Sequence, residues 1–245
     1  MRSKFVVGFA LSVFAVIPLA GAQSSTGIVG APGVAAAAVV ASPSPVLAAA
    51  VQRSSSVDVR FDVLAGTAAG SGTYDADTGM ASFVHNGDDP LTFVSTPDTL
   101  YVQGMPGTPT GSIARMNTGG IGAACDFAIA TDSRVGLSFL SAMTTANQLS
   151  PSDYSGTLDL TRVAGSVSTM KTVEWFSAGT VGTKTAVPFT AKTNSAGYLI
   201  AMSASFPWVD GNLVKYNLNL YDFGSPKTVT APTAGVIAAP SWMYR

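Results

Sequence analysis

The chain has 245 residues, of which 13 are Lys or Arg and 14 are Asp or Glu, so only 11% are charged and the formal net charge is -1. A field that weak and balanced excludes the basic face a nucleic-acid partner needs. One cysteine, Cys125, excludes an internal disulfide framework and a thiolate metal cluster, and one histidine, His85, leaves little of the usual acid–base machinery.

Residues 1–22 read as a secretory signal peptide. Arg2 and Lys4 precede an apolar run from Phe5 to Ile17, Pro18 breaks it, and Ala20 and Ala22 stand where signal peptidase requires small residues. Cleavage between Ala22 and Gln23 is expected. The apolar run is short for a membrane anchor, which needs about 20 residues. Residues 23–43, rich in Ala, Val, Gly and Ser and without charge, read as a spacer. At its end Ser44 can cap a short helix with Pro45 at the first helical position and Val46 to Arg53 as its body; the other reading is more spacer.

Residues 44–245 read as one β-rich domain. Every acidic residue except Glu174 is Asp, which favours turns over helix interiors, and 25 Gly and 14 Pro point the same way. Val57, Val59, Phe61 and Val63 alternate with Ser56, Asp58, Arg60 and Asp62, the period of a strand with one buried face. Gly70 to Tyr74 and Met80 to His85 flank the turn residues 75–79, residues 86–90 turn the chain again, and Leu91 to Ser95 and Leu100 to Gln103 flank a turn at 96–98. Met105 to Gly122 is rich in Gly, Pro, Thr and Ser and reads as loop. Between Ser133 and Leu149, Val135, Phe139, Ala142, Met143 and Ala146 fall at helical spacing behind Asp132 as a cap, with Leu137 and Leu140 widening the apolar face. Further strands are expected at Thr157 to Val163, Thr172 to Ser177, Ala186 to Thr193, Tyr198 to Phe206 and Leu213 to Tyr221. Tyr198, Ile200, Met202, Ala204 and Phe206 would share one face. The expected class is α+β: an antiparallel curved sheet of about ten strands, a half-barrel, with helices covering its concave face.

Three phrases add a resemblance. Gly70-Ser71-Gly72-Thr73-Tyr74, Leu100-Tyr101-Val102-Gln103-Gly104 and the stretch Tyr221-Asp222-Phe223-Gly224-Ser225-Pro226-Lys227-Thr228-Val229 resemble the LolA-like lipoproteins of actinobacterial envelopes, the LppX/LprG group, over residues 45 to 237. The resemblance implies a half-barrel closed by helices around an apolar cavity that takes acyl chains, and a role in carrying lipids or lipidated glycans across the envelope. The leader departs from that family. Its end reads Leu19-Ala20-Gly21-Ala22, where relatives carry the cysteine that is acylated, so release is expected in place of tethering.

Other motifs have simpler readings. Asp75-Ala76-Asp77-Thr78-Gly79 begins like a calcium loop, but Gly79 stands at the fifth position, which needs an oxygen ligand, and Asn86 at the twelfth, which needs Glu, and this leaves a hairpin turn. Gly120-Ile121-Gly122 lacks the leading strand of a dinucleotide loop. Cys125 could be a nucleophile with His85 and an Asp, but a lone thiol is more often a buried small hydrophobe, or in an exported protein one partner of an intermolecular disulfide. No catalytic residue, metal ligand or cofactor is therefore assigned. The expected function is a secreted, non-enzymatic carrier of a lipid or acylated molecule, with Phe61, Ile200, Met202, Tyr216 and Leu218 as cavity walls and Leu137, Leu140 and Met143 as lid. The alternative is an envelope module with a filled core that acts through contacts with other envelope proteins.

Overall fold

The structure, a computed structural model, describes residues 44–86, 90–105, 107–117, 133–165 and 167–244. The leader with its Ala22–Gln23 cleavage site, the spacer, the Gly120–Cys125 stretch and the Asp132 cap lie outside the described residues.

The fold is one wide, curved, unclosed sheet. Its strands are β1 (Val59–Ala65), β2 (Ala68–Asp75), β3 (Met80–Asn86), β4 (Leu91–Ser95), β5 (Thr99–Gln103), β6 (Ile113–Asn117), β7 (Met143–Gln148), β8 (Asp153–Leu158), β9 (Val187–Thr193), β10 (Leu199–Pro207), β11 (Leu213–Tyr221) and β12 (Val236–Ala238). Their order across the 12-stranded sheet is β12-β6-β5-β4-β3-β2-β1-β11-β10-β9-β8-β7. Two meanders thus meet where β1 pairs antiparallel with β11, from Arg60 opposite Tyr221 to Ala65 opposite Tyr216. Neighbours are antiparallel except β12, which runs parallel to β6. Strand β1 shows why the meander forms: Val59, Phe61, Val63 and Ala65 are buried, and the residues between them are exposed. One buried face at period two fixes the register, because a slip of one residue would turn every apolar side chain outward.

Among the described residues three helices pack with the sheet. Helix α1 (Pro45–Ser55) starts as expected, with Ser44 Oγ accepting the Leu47 N–H at 3.3 Å and Pro45 in the first turn. Its buried Ser54 hydroxyl accepts the Leu199 N–H at 2.9 Å, which ties α1 to β10. Helix α2 (Ser133–Ser141) contacts α1, β11 and β1, and helix α3 (Val167–Gly179) contacts α2. Gly136 makes the approach of α2 to β11 possible: a Cβ there would lie 2.7 Å from Leu218 Cδ2 and 2.8 Å from Tyr216 Cε1. Around this contact the rings of Phe139, Phe176, Phe206 and Tyr216 form a cluster, with Phe139 edge-on to Tyr216 at 5.3 Å and Phe176 tilted against Phe206 at 4.5 Å. Among the described residues, no helix is long and apolar enough to cross a membrane.

Several elements differ from the sequence expectation. The helix expected to reach Leu149 ends at Ser141, the Ala142 N–H bonds the Phe139 carbonyl at 3.0 Å, and the chain continues as β7. Thr144 and Thr145 decide this, since both hydroxyls lie 2.8 Å from that of Thr157 on β8 and β-branched residues suit a strand. The strand expected at Thr157 to Val163 begins earlier, at Asp153, and gives way after Leu158 to a 3-10 turn at Leu160–Arg162. Thr172 to Ser177, expected as a strand, lies inside α3. Its buried residues Thr172, Val173, Phe176 and Gly179 follow a three-to-four spacing, so packing overrides the strand preference of Val173 and Trp175. The loop expected from Met105 contains β6, in which Ala114 and Met116 are buried between Ile113, Arg115 and Asn117. With β12, which has no sequence signal, the count rises from about ten strands to 12.

Candidate functional site

An open groove of about 650 Å³ lies between α1, α2 and the 3-10 turn. Helix α1 contributes Ala48 and Val51, α2 contributes Leu137 and Leu140, and Met143, Tyr74 and Ala164 complete the apolar lining. Gln52, Ser55, Ser138, Ser141, Arg134 and Arg162 add polar atoms. The two helices present this face for a simple reason. In α1 the stripe Leu47, Ala50 and Ser54 is buried against the fold, so the adjoining stripe Ala48, Val51 and Ser55 is left to line the groove. Arg134 fixes α2 to the sheet, with Nη1 donating to the Gly79 carbonyl at 2.9 Å and Nη2 donating to Ser95 Oγ.

The eight residues named from the sequence divide into four groups. Leu137, Leu140 and Met143 border the groove from the core beneath it and are only 6%, 0% and 7% exposed. Phe61, Tyr216 and Leu218 are fully buried in the packed core between sheet and helices. Met202, also buried, borders a depression of about 610 Å³ whose other lining residues include Ser203, Asn217, Asn219 and Lys192 on the opposite face of the sheet. Ile200 is half-buried, because the register of β10 against β9 shifts between Leu199 and Ala201. That irregularity turns Leu199 inward ahead of Met202, Ala204 and Phe206. Ala48, Val51, Tyr74 and both arginines were not singled out from the sequence. The helical spacing of Ala48, Val51 and Ser55 was the signal available for α1.

The turn motif at 75–79 and the Tyr221–Val229 stretch act together as a structural tie. Asp75 is 4% exposed, and its carboxylate accepts N–H groups from Asp77 and Thr78 at 3.1 Å on one oxygen and from Val229 at 3.1 Å on the other. Burial pushes its pKa up, but the amide hydrogen bonds from Val229, Thr78 and Asp77 outweigh burial and hold it below the ordinary 3.8. Asp58 accepts from Ala76 at 2.8 Å and from Lys227 at 2.6 Å. The two aspartates thus bind the segment after β11 to the β2–β3 turn. Lys227 closes the tie through Asp222 Oδ2 at 2.9 Å, and Asp222 itself has φ of 57°. Half-buried His85 has its pKa lowered by burial. Among the described residues, no group of three His, Cys, Asp or Glu side chains comes together. Cys125 lies outside the described residues.

No protein-family model matches the chain. No curated protein matches it in sequence either.

Proposed function

We propose that the protein is an exported, non-enzymatic carrier that holds the acyl chain of a lipid or lipidated molecule in the groove between α1 and α2, as LolA-like proteins do beneath helices on the concave face of a half-barrel. The groove itself carries this reading. Its volume of about 650 Å³ falls within the roughly 300–1,000 Å³ of small-molecule sites, and apolar side chains dominate its lining. The leader ending in Ala22 and the three sequence phrases support export and the LolA-like relationship.

The mechanism is burial of the chain. Each methylene taken from water contributes about 0.8 kcal/mol, so the methylenes of a sixteen-carbon chain contribute roughly 11 kcal/mol. Association costs about 4–15 kcal/mol. Chain burial is therefore of the same order as the cost of association, so the affinity depends on how much of the chain the groove covers. The test is organic extraction of the purified protein followed by mass spectrometry, together with binding of an added fluorescent fatty acid. A co-purifying acylated compound, or saturable uptake of the probe, is expected. Neither one in a folded sample would leave the envelope-interaction module with a filled core as the better reading.

A further inference from the structure

We propose that Arg162 makes the groove selective for acylated ligands whose head group is an anion, phosphate or carboxylate; this rests on the carrier reading above. The charged residues among the described lining are Arg134 and Arg162, with no Asp or Glu beside them. The two arginines do different work. Arg134 donates to the Gly79 carbonyl and to Ser95, so its guanidinium holds α2 against the sheet. Arg162 is exposed at the groove's edge, and among the described residues no ion pair holds it.

The backbone carrying Arg162 is fixed. Asp159 Oδ1 accepts the Thr161 N–H at 2.9 Å and the Thr161 hydroxyl at 2.6 Å, and the Leu160 N–H bonds the Lys184 carbonyl at 2.9 Å. Leu160 and Val163, on either side, are buried. The carboxylate nearest in sequence is thus engaged in capping the turn, and the turn is anchored at both ends. Two of the hydroxyls at the groove are already spent as donors, Ser55 to the Gln52 carbonyl at 2.8 Å and Ser141 to the Ser138 carbonyl at 2.6 Å. A guanidinium presents N–H groups in a planar fork that matches a carboxylate or phosphate. An acyl chain lying along Ala48, Val51 and the open edges of Leu137 and Met143, with its head at the edge, would place an anion against that fork.

The experiment measures displacement of a fluorescent fatty acid from the full, delipidated chain by palmitate, hexadecyl phosphate and monopalmitoylglycerol, for the wild type, Arg162→Gln and Arg162→Lys. Wild type should favour both anions over the neutral glyceride by about fivefold, the upper end for an exposed ion pair. Arg162→Gln should remove that preference and leave the glyceride unchanged, whereas Arg162→Lys should keep part of it. Because Arg162 is exposed, all three should share one urea midpoint. Equal wild-type affinity for the three ligands, or a preference that survives in Arg162→Gln, overturns the proposal while leaving the carrier reading intact. If none of the three displaces the probe, the carrier reading fails and takes this proposal with it. Inorganic phosphate alone should not displace the probe; Arg162-dependent displacement by phosphate at matching concentration would make this a free-anion site and overturn the head-group assignment.

Discussion

Replacing Gly136 with alanine sets two effects of opposite sign against each other. In an isolated helix the change is favourable by about 1 kcal/mol, since glycine loses more backbone entropy on ordering. In this fold the new methyl would stand 2.7 Å from Leu218 Cδ2 and 2.8 Å from Tyr216 Cε1. Carbon atoms in contact rest about 3.5–4.0 Å apart, so roughly 1 Å of room must be made. Neither neighbour can swing into solvent, because Leu218 and Tyr216 are both 0% exposed. Overpacking of this kind costs about 1–3 kcal/mol, enough to offset the helical gain and leave Gly136→Ala destabilised by about 1 kcal/mol. Urea unfolding followed by tryptophan fluorescence measures it, with Ser141→Ala on the exposed side of the same helix as control. A lower midpoint at unchanged slope is expected. A midpoint raised by the full helical gain would refute the close approach of α2 to β11. It would also undermine the groove, because Leu137 and Leu140 ride on the same helix.

Ala48→Trp should fill the groove from the exposed side of α1, abolishing fatty-acid probe binding while changing stability by less than about 0.5 kcal/mol, as for other surface substitutions; undiminished binding would place the ligand elsewhere. Asp75→Asn turns an NH2 group toward one of three backbone donors and should lower stability by about 1–3 kcal/mol. The folded pKa of Asp75 lies below 3.8, so its contribution is complete above that value and is lost as pH falls through the folded pKa. The gap in urea midpoint between wild type and variant should therefore be constant near neutrality and close in acid, and a gap that widens in acid would contradict the assignment. His85 has the opposite sign. Its folded pKa lies below 6.5, so stability is highest above pH 6.5 and declines as pH falls toward the folded value. As it is the single histidine, His85→Gln should flatten the pH dependence just below neutrality, and an unchanged slope would assign that dependence to another group.

What could be read in the sequence follows from how each element is stabilised. Strand β1 was legible because one face is buried and the other solvated, so Val59, Phe61 and Val63 stand out at period two. Helix α1 was legible from its cap and proline. Residues 172–177 were not, because Val173, Trp175 and Phe176 favour a strand locally and their contact with the α2 layer exists only once the fold has assembled. Residues 143–148 failed for the complementary reason: Met143 and Ala146 continue the apolar spacing of α2, and the partner that draws them into the sheet, β8, lies later in the chain. The groove was half legible. Its α2 side showed as an apolar helical face, but in α1 the apolar residues run unbroken from Pro45 to Val51, so which of them form a wall depends on where Leu47 and Ser54 are buried.

The sheet's failure to close has a consequence for how the molecule ends. An open sheet exposes a row of unpaired amides at each margin, where strands of another copy could add indefinitely. At one margin the segment tied down by Asp58 and Asp75 leads on to β12, which lies along β6: the Ile113 N–H bonds the Gly235 carbonyl at 2.9 Å and the Ala239 N–H bonds the Arg115 carbonyl at 3.0 Å. At the other margin β7 pairs with β8 across a register shift between Met143 and Thr145, and an irregular strand is a poor template for the next. The aspartate tie therefore does more than hold a tail in place: it delivers the strip of backbone that finishes one border of the sheet, so that the chain itself sets the sheet's width.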